Sequence, residues 1–324
     1  MIETPADSPK RGLDLRRLLV SLGPLVGLMA VYALFAVLRF DRFVTWSNSS
    51  IMLQQTAVIG TGAIGMTLIV ISGGVDLSFG SVIAFCAVVV ALLLQAGFDP
   101  ALAALVAIGA GAGAGYVSGA LVTRLRLMPF IVTLGMMGVL RGAAKGLADE
   151  QPIYPEATWL NDLMQLESHS LPGGVWVMLV MAGVVGAVLR YTRFGRHCFA
   201  IGSSEATARL CGVRVERTKT LIYALGAAFA GLAGVLQFSY LTGGDPTTAV
   251  GLELNIIASV VIGGASLAGG RGTIVGTLVG ALIMTVVNNG CTKLEMANWV
   301  QEIVTGGIIV AAVTLDQFRR GRFA

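Results

Sequence analysis

Charge is scarce in this chain: acidic and basic residues make up 12% of its 324 residues, about half the share of an ordinary soluble domain. With 55% apolar residues and a mean hydropathy of +0.81, that scarcity excludes a water-soluble globular protein and leaves a polytopic membrane protein. Histidine is rarer still. His169 and His197 are far apart in sequence, so a zinc or haem centre lacks ligands. The four cysteines, Cys86, Cys198, Cys211 and Cys291, form no CxxC pair and read as packed free thiols, with no disulfide and no metal inferred. A net charge of +4 is too small to indicate nucleic acid. No G-x-x-x-x-G-K-[ST] phosphate loop is present: the glycine-rich stretch 263–273 lacks the lysine that reaches a nucleotide's phosphates, so ATP chemistry must lie elsewhere. Nor is there a catalytic constellation of paired carboxylates or histidines, which argues against a membrane enzyme, and no cofactor is inferred.

Glycine is what the chain has in abundance, 43 residues of it. In lipid, small residues let helix backbones approach closely. Ten apolar runs approach or exceed the ~20 residues that a bilayer crossing takes: 18–38, 51–72, 79–95, 101–122, 129–147, 175–191, 220–241, 252–267, 274–289 and 299–315. The expected fold is all-α, with about ten transmembrane helices, several of them short or broken around a central translocation path. Lysine and arginine concentrate in cytoplasmic loops. With both termini cytoplasmic, only Arg39, Arg42, Arg141, Lys145 and Lys293 fall outside. An odd number of spans would put the basic clusters at 190–219 and 319–322 on opposite sides. The expected organisation is a flexible cytoplasmic tail over 1–17, one transmembrane domain over 18–317 with a cytoplasmic loop at 192–219, and a short basic tail at 318–324. The first run is longer than a signal-peptide core and shows no small-x-small cleavage site, so it reads as an uncleaved span.

One charge sits where charge is expensive. Gly73, Gly74, Asp76, Ser78 and Gly80 fall in a glycine-rich break within a long apolar stretch. An ionised carboxylate at membrane depth costs at least ~2.5 kcal/mol, and irregular backbone survives there only inside protein or beside a water-filled cavity. Asp76 is therefore expected inside the bundle, either capping the helix that begins near Leu77 or lining a gate. Sliding the chain by 190 positions lays Gly73, Gly74, Leu77 and Gly80 on Gly263, Gly264, Leu267 and Gly270, as an internal repeat would, although chance matches come easily in so glycine-rich a chain. Glu253 and Asn255 fall near the outer end of the eighth run, and Gln54, Gln55 and Thr56 near that of the second. They are candidates for a polar path lining or for ordinary interfacial residues. The longest outer loop, 149–173, carries Asp149, Glu150, Glu156, Asp162, Glu167 and Trp159, and reads either as a docking surface or as a solvated loop.

Residues Ser203 to Gly212 on the inner side read as a short capped helix. Ser204 suits the N-cap, Glu205 the positive first turn, and Gly212 the left-handed closing position. Such a helix is either a force-transmitting contact or a surface linker. Glu205-Ala206 followed by Gly212 resembles the EAA loop of ABC importer permeases, with the glycine one position later than usual. Gly73-Gly74-Val75-Asp76-Leu77-Ser78-Phe79-Gly80-Ser81 resembles the GG-x-D-L-S-x-G-S signature of ribose-type sugar permeases. Two further stretches resemble blocks of that family: one opens at Phe130-Ile131-Val132-Thr133-Leu134-Gly135 and ends at Arg141-Gly142, the other runs from Gly251-Leu252-Glu253-Leu254 to Gly263-Gly264-Ala265-Ser266-Leu267-Ala268-Gly269-Gly270-Arg271-Gly272.

The resemblance implies the permease subunit of an ATP-binding-cassette sugar importer in the bacterial inner membrane. It also implies three protein partners: a cytoplasmic ATPase held by Ser204, Glu205, Ala206, Arg209 and Gly212, a periplasmic sugar-binding protein, and a second permease copy. The path or gate would involve Gly73, Gly74, Asp76, Ser78, Gly80, Glu253, Asn255, Gly263 and Gly264. An ion-driven secondary transporter of a small polar solute is the alternative, for which Asp76 is the one good intramembrane carboxylate.

Overall fold

The computed structural model describes residues 15–165 and 171–321. Its helices, in chain order, are α1 (Leu15–Leu38), α2 (Phe40–Phe43), α3 (Trp46–Ile71), α4 (Phe79–Gln95), α5 (Pro100–Arg124), α6 (Pro129–Leu147), α7 (Trp159–Asp162), α8 (Gly173–Tyr191), α9 (Arg193–Ser203), α10 (Glu205–Leu210), α11 (Val215–Leu241), α12 (Leu252–Ile262), α13 (Ile274–Lys293) and α14 (Asn298–Gly321). Among the described residues the only β pairing is an isolated bridge between Ile153 and Gly244. The expected tail residues 1–14 and 322–324, with Glu167 and His169 of the outer loop, lie outside the described residues.

Helix starts follow local chemistry. Thr45 caps α3 by accepting from the Asn48 amide at 3.2 Å. Asp99 caps α5, accepting from Ala101 and Leu102 ahead of a Pro100 that needs no amide partner. Thr273 caps α13 through the Gly276 amide at 3.1 Å. Several helices depart from the apolar runs. α1 begins at Leu15 and α14 continues to Gly321, so helix takes up part of each expected tail. α11 begins at Val215, five residues before its apolar run, because amphipathic residues extend a helix beyond the bilayer.

Among the described residues six helices, α3, α5, α6, α8, α11 and α13, are long and apolar enough to cross a membrane, and α4 and α12 are shorter apolar helices. Their burial divides them. The apolar window of α3 is 94% buried, so α3 is the axis of the bundle, whereas α5, α6 and α8 turn most of their surface outward. Glycine brings the inner helices together: Gly111, Gly115 and Gly119 form one face of α5, and a Cβ on Gly111 would stand 2.7 Å from the Ala227 carbonyl of α11. Backbones in such contact leave no room for side chains, which is how close packing replaces the hydrophobic force that lipid removes.

The eighth run is the largest departure. α12 spans 11 residues, about 16 Å and half the hydrocarbon thickness, because Gly264 at φ +93° ends it. The chain reaches its start by dipping back into the bundle. A Cβ on Gly244 would strike Ala91 and Val88 of α4, whereas Gly80, at the beginning of the same helix, packs against the Ala249 carbonyl. Between Ala91 and Gly80 lie about 16 Å of helix, so residues 244–249 descend that far alongside α4.

Candidate functional site

Two helix ends build the centre of the site. At the end of α3, Gly73 takes φ +79°, its amide donates to the Val70 carbonyl and that of Gly74 to the Ile69 carbonyl, each at 3.0 Å. At the end of α12, Gly264 donates to Val261 at 2.9 Å and Ala265 to Val260 at 3.1 Å. Both are left-handed terminations with the same bonds. They correspond at a spacing of 191, not 190, so Gly73 matches Gly264 in geometry, and Gly263, at φ −64°, is an ordinary helical end residue. The geometric correspondence is one residue out of step with the letter matches.

The end of α3 and the loop that follows α12 meet α9 at a node of glycines. The Gly270 amide donates to the Ile71 carbonyl at 2.8 Å. Gly202, near the end of α9, lies against both partners of that bond: a Cβ there would strike the Ile71 carbonyl and stand 2.5 Å from the Gly270 nitrogen. Gly269, at φ +86°, approaches the Gly202 carbonyl and the Gly73 nitrogen so closely that a Cβ would lie 2.7 and 2.9 Å from them. Three separate chain segments are therefore in backbone contact, and a shift of α9 bears on the α3 end and on the loop that follows α12.

α9 and α10 form one rigid element on this node. Ser204 caps α10, its hydroxyl 3.3 Å from the Thr207 amide, and Gly212 at φ +82° closes it, with Val213 donating to the Ala208 carbonyl at 3.1 Å. Ile201, Ala208 and Val215 pack beneath it. Glu205 accepts from Lys219 at 2.7 Å and Arg209 at 3.1 Å, and Arg209 also pairs with Glu216. The Lys219 hydrogen bond, with a further contribution from Arg209, holds the Glu205 carboxyl below its usual value despite partial burial. Thus Glu205, itself partly exposed, ties α10 to Lys219 of α11, and the apolar tip, Leu210, is 89% exposed.

Asp76 is fully buried, as its cost in lipid requires. Its Oδ1 accepts from the Ser78 amide at 2.8 Å and the Ser78 hydroxyl at 2.6 Å, while Oδ2 has no partner among the described residues. α4 starts at Phe79, with Ser78 in the N-cap position and no side-chain cap bond. Asp76 thus does not cap α4; it makes the turn just before the helix, since an aspartate reaches the amide two residues on. Tyr223 of α11 closes over the break: its hydroxyl, also unpartnered among the described residues, occupies the space that a Cβ on Gly74 would need.

Glu253 sits in the first turn of α12, at the end away from the glycine node, and it is partly buried because that half-length helix begins beside α4. Its carboxylate packs on Gly80, where any side chain would displace it. The descent of 244–249 along α4 carries it there, and no local sequence signal announces that descent. Arg141, placed among the outer positive charges by loop counting, points to the same region: its guanidinium donates to the Pro246 carbonyl at 3.0 Å and to the Thr248 carbonyl at 2.5 Å. An arginine partway along an apolar helix is carried by partners of this kind. Gly80 and Glu253 are therefore neighbours, whereas Asn255 turns to another face of α12, its Oδ1 accepting from Asn288 of α13 at 3.3 Å. Gln54 donates to the Met164 carbonyl, Gln55 to the Tyr240 hydroxyl, and Thr56 back-bonds to Met52, so the three candidates on α3 do not act together.

Gly202, Tyr223, Arg141 and Asn288 were not singled out as site residues from sequence. Only Arg141 carried a signal, a charge within an apolar run. The other three gain meaning from partners more than thirty positions away.

A helical bundle with broken helices at its heart and a docked external element is a multi-pass membrane permease. The branched-chain amino acid transport system / permease component family matches residues 48–313, and the chain belongs to that family. It is 38% identical to the ribose import permease protein RbsC of Escherichia coli K12 over 296 residues, covering 90% of this chain and 92% of that one. Similarity to RbsC of Bacillus subtilis is 37% over 298 residues, covering 91% and 92%. The L-arabinose ABC transporter permease protein AraH of Azospirillum brasilense is 36% identical over 296 residues, covering 91% and 87%. No solved structure matches the chain. Membership of this family makes it a transport component of the inner membrane.

Proposed function

We propose that the chain is the membrane subunit of an ATP-driven importer of a monosaccharide or related polyol, with ATP hydrolysed by a separate cytoplasmic subunit. The observation that carries this reading is the α9–α10 element, with Gly202 in backbone contact with the α3 end and the 263–272 loop and with Leu210 exposed at its tip. An external motor gripping Leu210 and its surroundings would move the α3 end and that loop at once. The names of the ribose and arabinose relatives support a neutral sugar as cargo. A ten-segment layout with both termini cytoplasmic suits the element order, with α12 as a half-length segment entered from within.

A second copy of the chain is the proposed partner in the membrane. The faces of α6 and α8 carry Gly135, Gly138, Gly142, Gly183 and Gly186 with nothing within 4 Å, surface that another helix would fill. A sugar-binding protein would meet the outer loop 149–165, where a Thr158–Asn161 capping box folds α7 against the bundle and Trp159 stays exposed.

Reconstitution in liposomes with its ATPase and binding protein tests the proposal. Labelled-sugar uptake should require ATP and persist when ion gradients are collapsed. Uptake that needs no ATPase and disappears with the gradient would establish the ion-driven alternative instead.

A further inference from the structure

At the end of the bundle opposite the glycine node, α3 and α13 enclose a pocket of about 220 Å3 lined by Ile51, Gln55, Asn288, Asn289, Thr292 and Lys293. Gln55 lies sixteen residues before Ile71 on α3, so the pocket is about 24 Å along the bundle from the node. By the distribution of basic loops this is the outer end. Its lining is unusual for a membrane protein: three primary amides, one hydroxyl and one ammonium, with no carboxylate.

The hydrogen bonding makes this a built surface that still has capacity. Asn289 is fixed by reciprocal 3.0 Å bonds with Asn48, both amides buried. Asn288 donates to Asn255 and accepts from Thr305 of α14, each at 3.3 Å, which orients its amide. That leaves it one N–H and one lone pair. Gln55 is engaged only through its nitrogen, a long 3.4 Å bond to the Tyr240 hydroxyl, so its carbonyl is open. The Asn255 Nδ2 and the Lys293 ammonium have no acceptor among the described residues. Open donors and acceptors thus share one lining, which the Asn288 amide joins to Asn255 of α12.

The geometry points to a low-affinity subsite for a neutral sugar in this pocket, the first protein surface the cargo meets on leaving its carrier. This rests on the importer reading above and adds the residues of the entry. Each hydroxyl of a sugar is both donor and acceptor, and amides answer both needs, so the water shed on entry is replaced bond for bond. A cation is disfavoured by Lys293; the ammonium by itself does not exclude a carboxylate sugar, and the glucuronate arm of the test below separates the two. The volume lies below the ~300–1,000 Å3 of drug-sized pockets, which suits a monosaccharide and not a disaccharide.

Thiol protection in cells carrying the intact transporter tests the subsite. Thr292 is exposed, while Cys86, Cys198 and Cys291 are buried and Cys211 lies on the opposite, inner side, so Thr292→Cys adds one thiol reachable from outside. A membrane-impermeant maleimide should label it, and ribose should slow labelling in proportion to 1 + [L]/Kd, about threefold at twice the dissociation constant. Sucrose and glucuronate should not slow it, and Gln55→Leu should abolish the protection while leaving labelling itself unchanged. Ribose uptake with no protection overturns the subsite and leaves the importer reading standing. Protection by glucuronate overturns the neutral-sugar assignment, and a Thr292→Cys variant that transports ribose yet never labels overturns the placement of the pocket at the outer entrance. No uptake of any neutral monosaccharide by the wild type rejects the importer reading itself.

Discussion

Replacing Gly202 with alanine puts one methyl group into the backbone node between α9, the α3 end and the 263–272 loop. Its Cβ would overlap the Ile71 carbonyl and crowd the Gly270 nitrogen, both of them backbone, so no flexible side chain is there to yield. The Gly270–Ile71 bond, 2.8 Å long, must break or stretch, a loss of about 1 kcal/mol. Overpacking adds ~1–3 kcal/mol, and alanine's better helix propensity returns about 1 kcal/mol. The net is about 1–3 kcal/mol against the docked arrangement. At 1.4 kcal/mol per factor of ten, the coupled state loses about 5- to 150-fold in population. The assay is a liposome preparation with ATPase and binding protein in which ATP hydrolysed and sugar moved are measured together. Gly186→Ala on α8, where nothing lies within 4 Å, is the control for adding a methyl group to a membrane helix. Because the Leu210 tip is untouched, Gly202→Ala should keep its ATPase and go on hydrolysing ATP while uptake falls about fivefold or more. Uptake and coupling ratio indistinguishable from Gly186→Ala would refute the transmission argument.

Asp76→Asn keeps the Oδ1 acceptor for Ser78 and should retain folding and uptake, whereas Asp76→Ala loses two bonds and ~1–3 kcal/mol, visible as a lowered Tm; lost uptake in a well-folded Asn variant would show that the charge itself is needed. Arg141→Gln removes the guanidinium that holds the Pro246 and Thr248 carbonyls, so hydrogen exchange should quicken over 244–249 before it quickens in α6, and unchanged exchange would mean that the descent holds itself. Glu205 has its folded-state pKa below the ordinary 4.5, so its contribution to α10 is complete above that pH and is lost as pH falls through the lower folded value. Pepsin cleavage within 205–219 should therefore rise only below about pH 4.5 and should also rise with salt, since these pairs are largely exposed.

The sequence made the short α10 legible, because a serine cap and the closure at Gly212 are local chemistry, whereas Ser203 belongs to the preceding α9, which was not read as a helix. The breaks after α3 and α12 were legible for the same reason: glycine is favoured where the chain turns left-handed. Asp76 was legible as buried but not in its role, since turn and cap differ only in where the helix begins. Glu253 was legible as a residue of the first turn of α12, but its contact with Gly80 was not, because it depends on how the polar segment 244–249 runs beside α4.

Composition, apolar runs and the placement of lysine and arginine determined that this chain is a helical membrane protein with a capped helix on one face, because lipid solvation and helix capping act within a turn or two of each residue. Only the tertiary structure decided that Gly202 touches the end of α3 and the Gly269–Gly270 turn, that Arg141 holds the 246–248 segment, and that Asn288 aims its amide toward Asn255. Those facts depend on which backbones come within a few ångströms, and in lipid that is settled by the fit of whole glycine-lined helix faces rather than by any single residue.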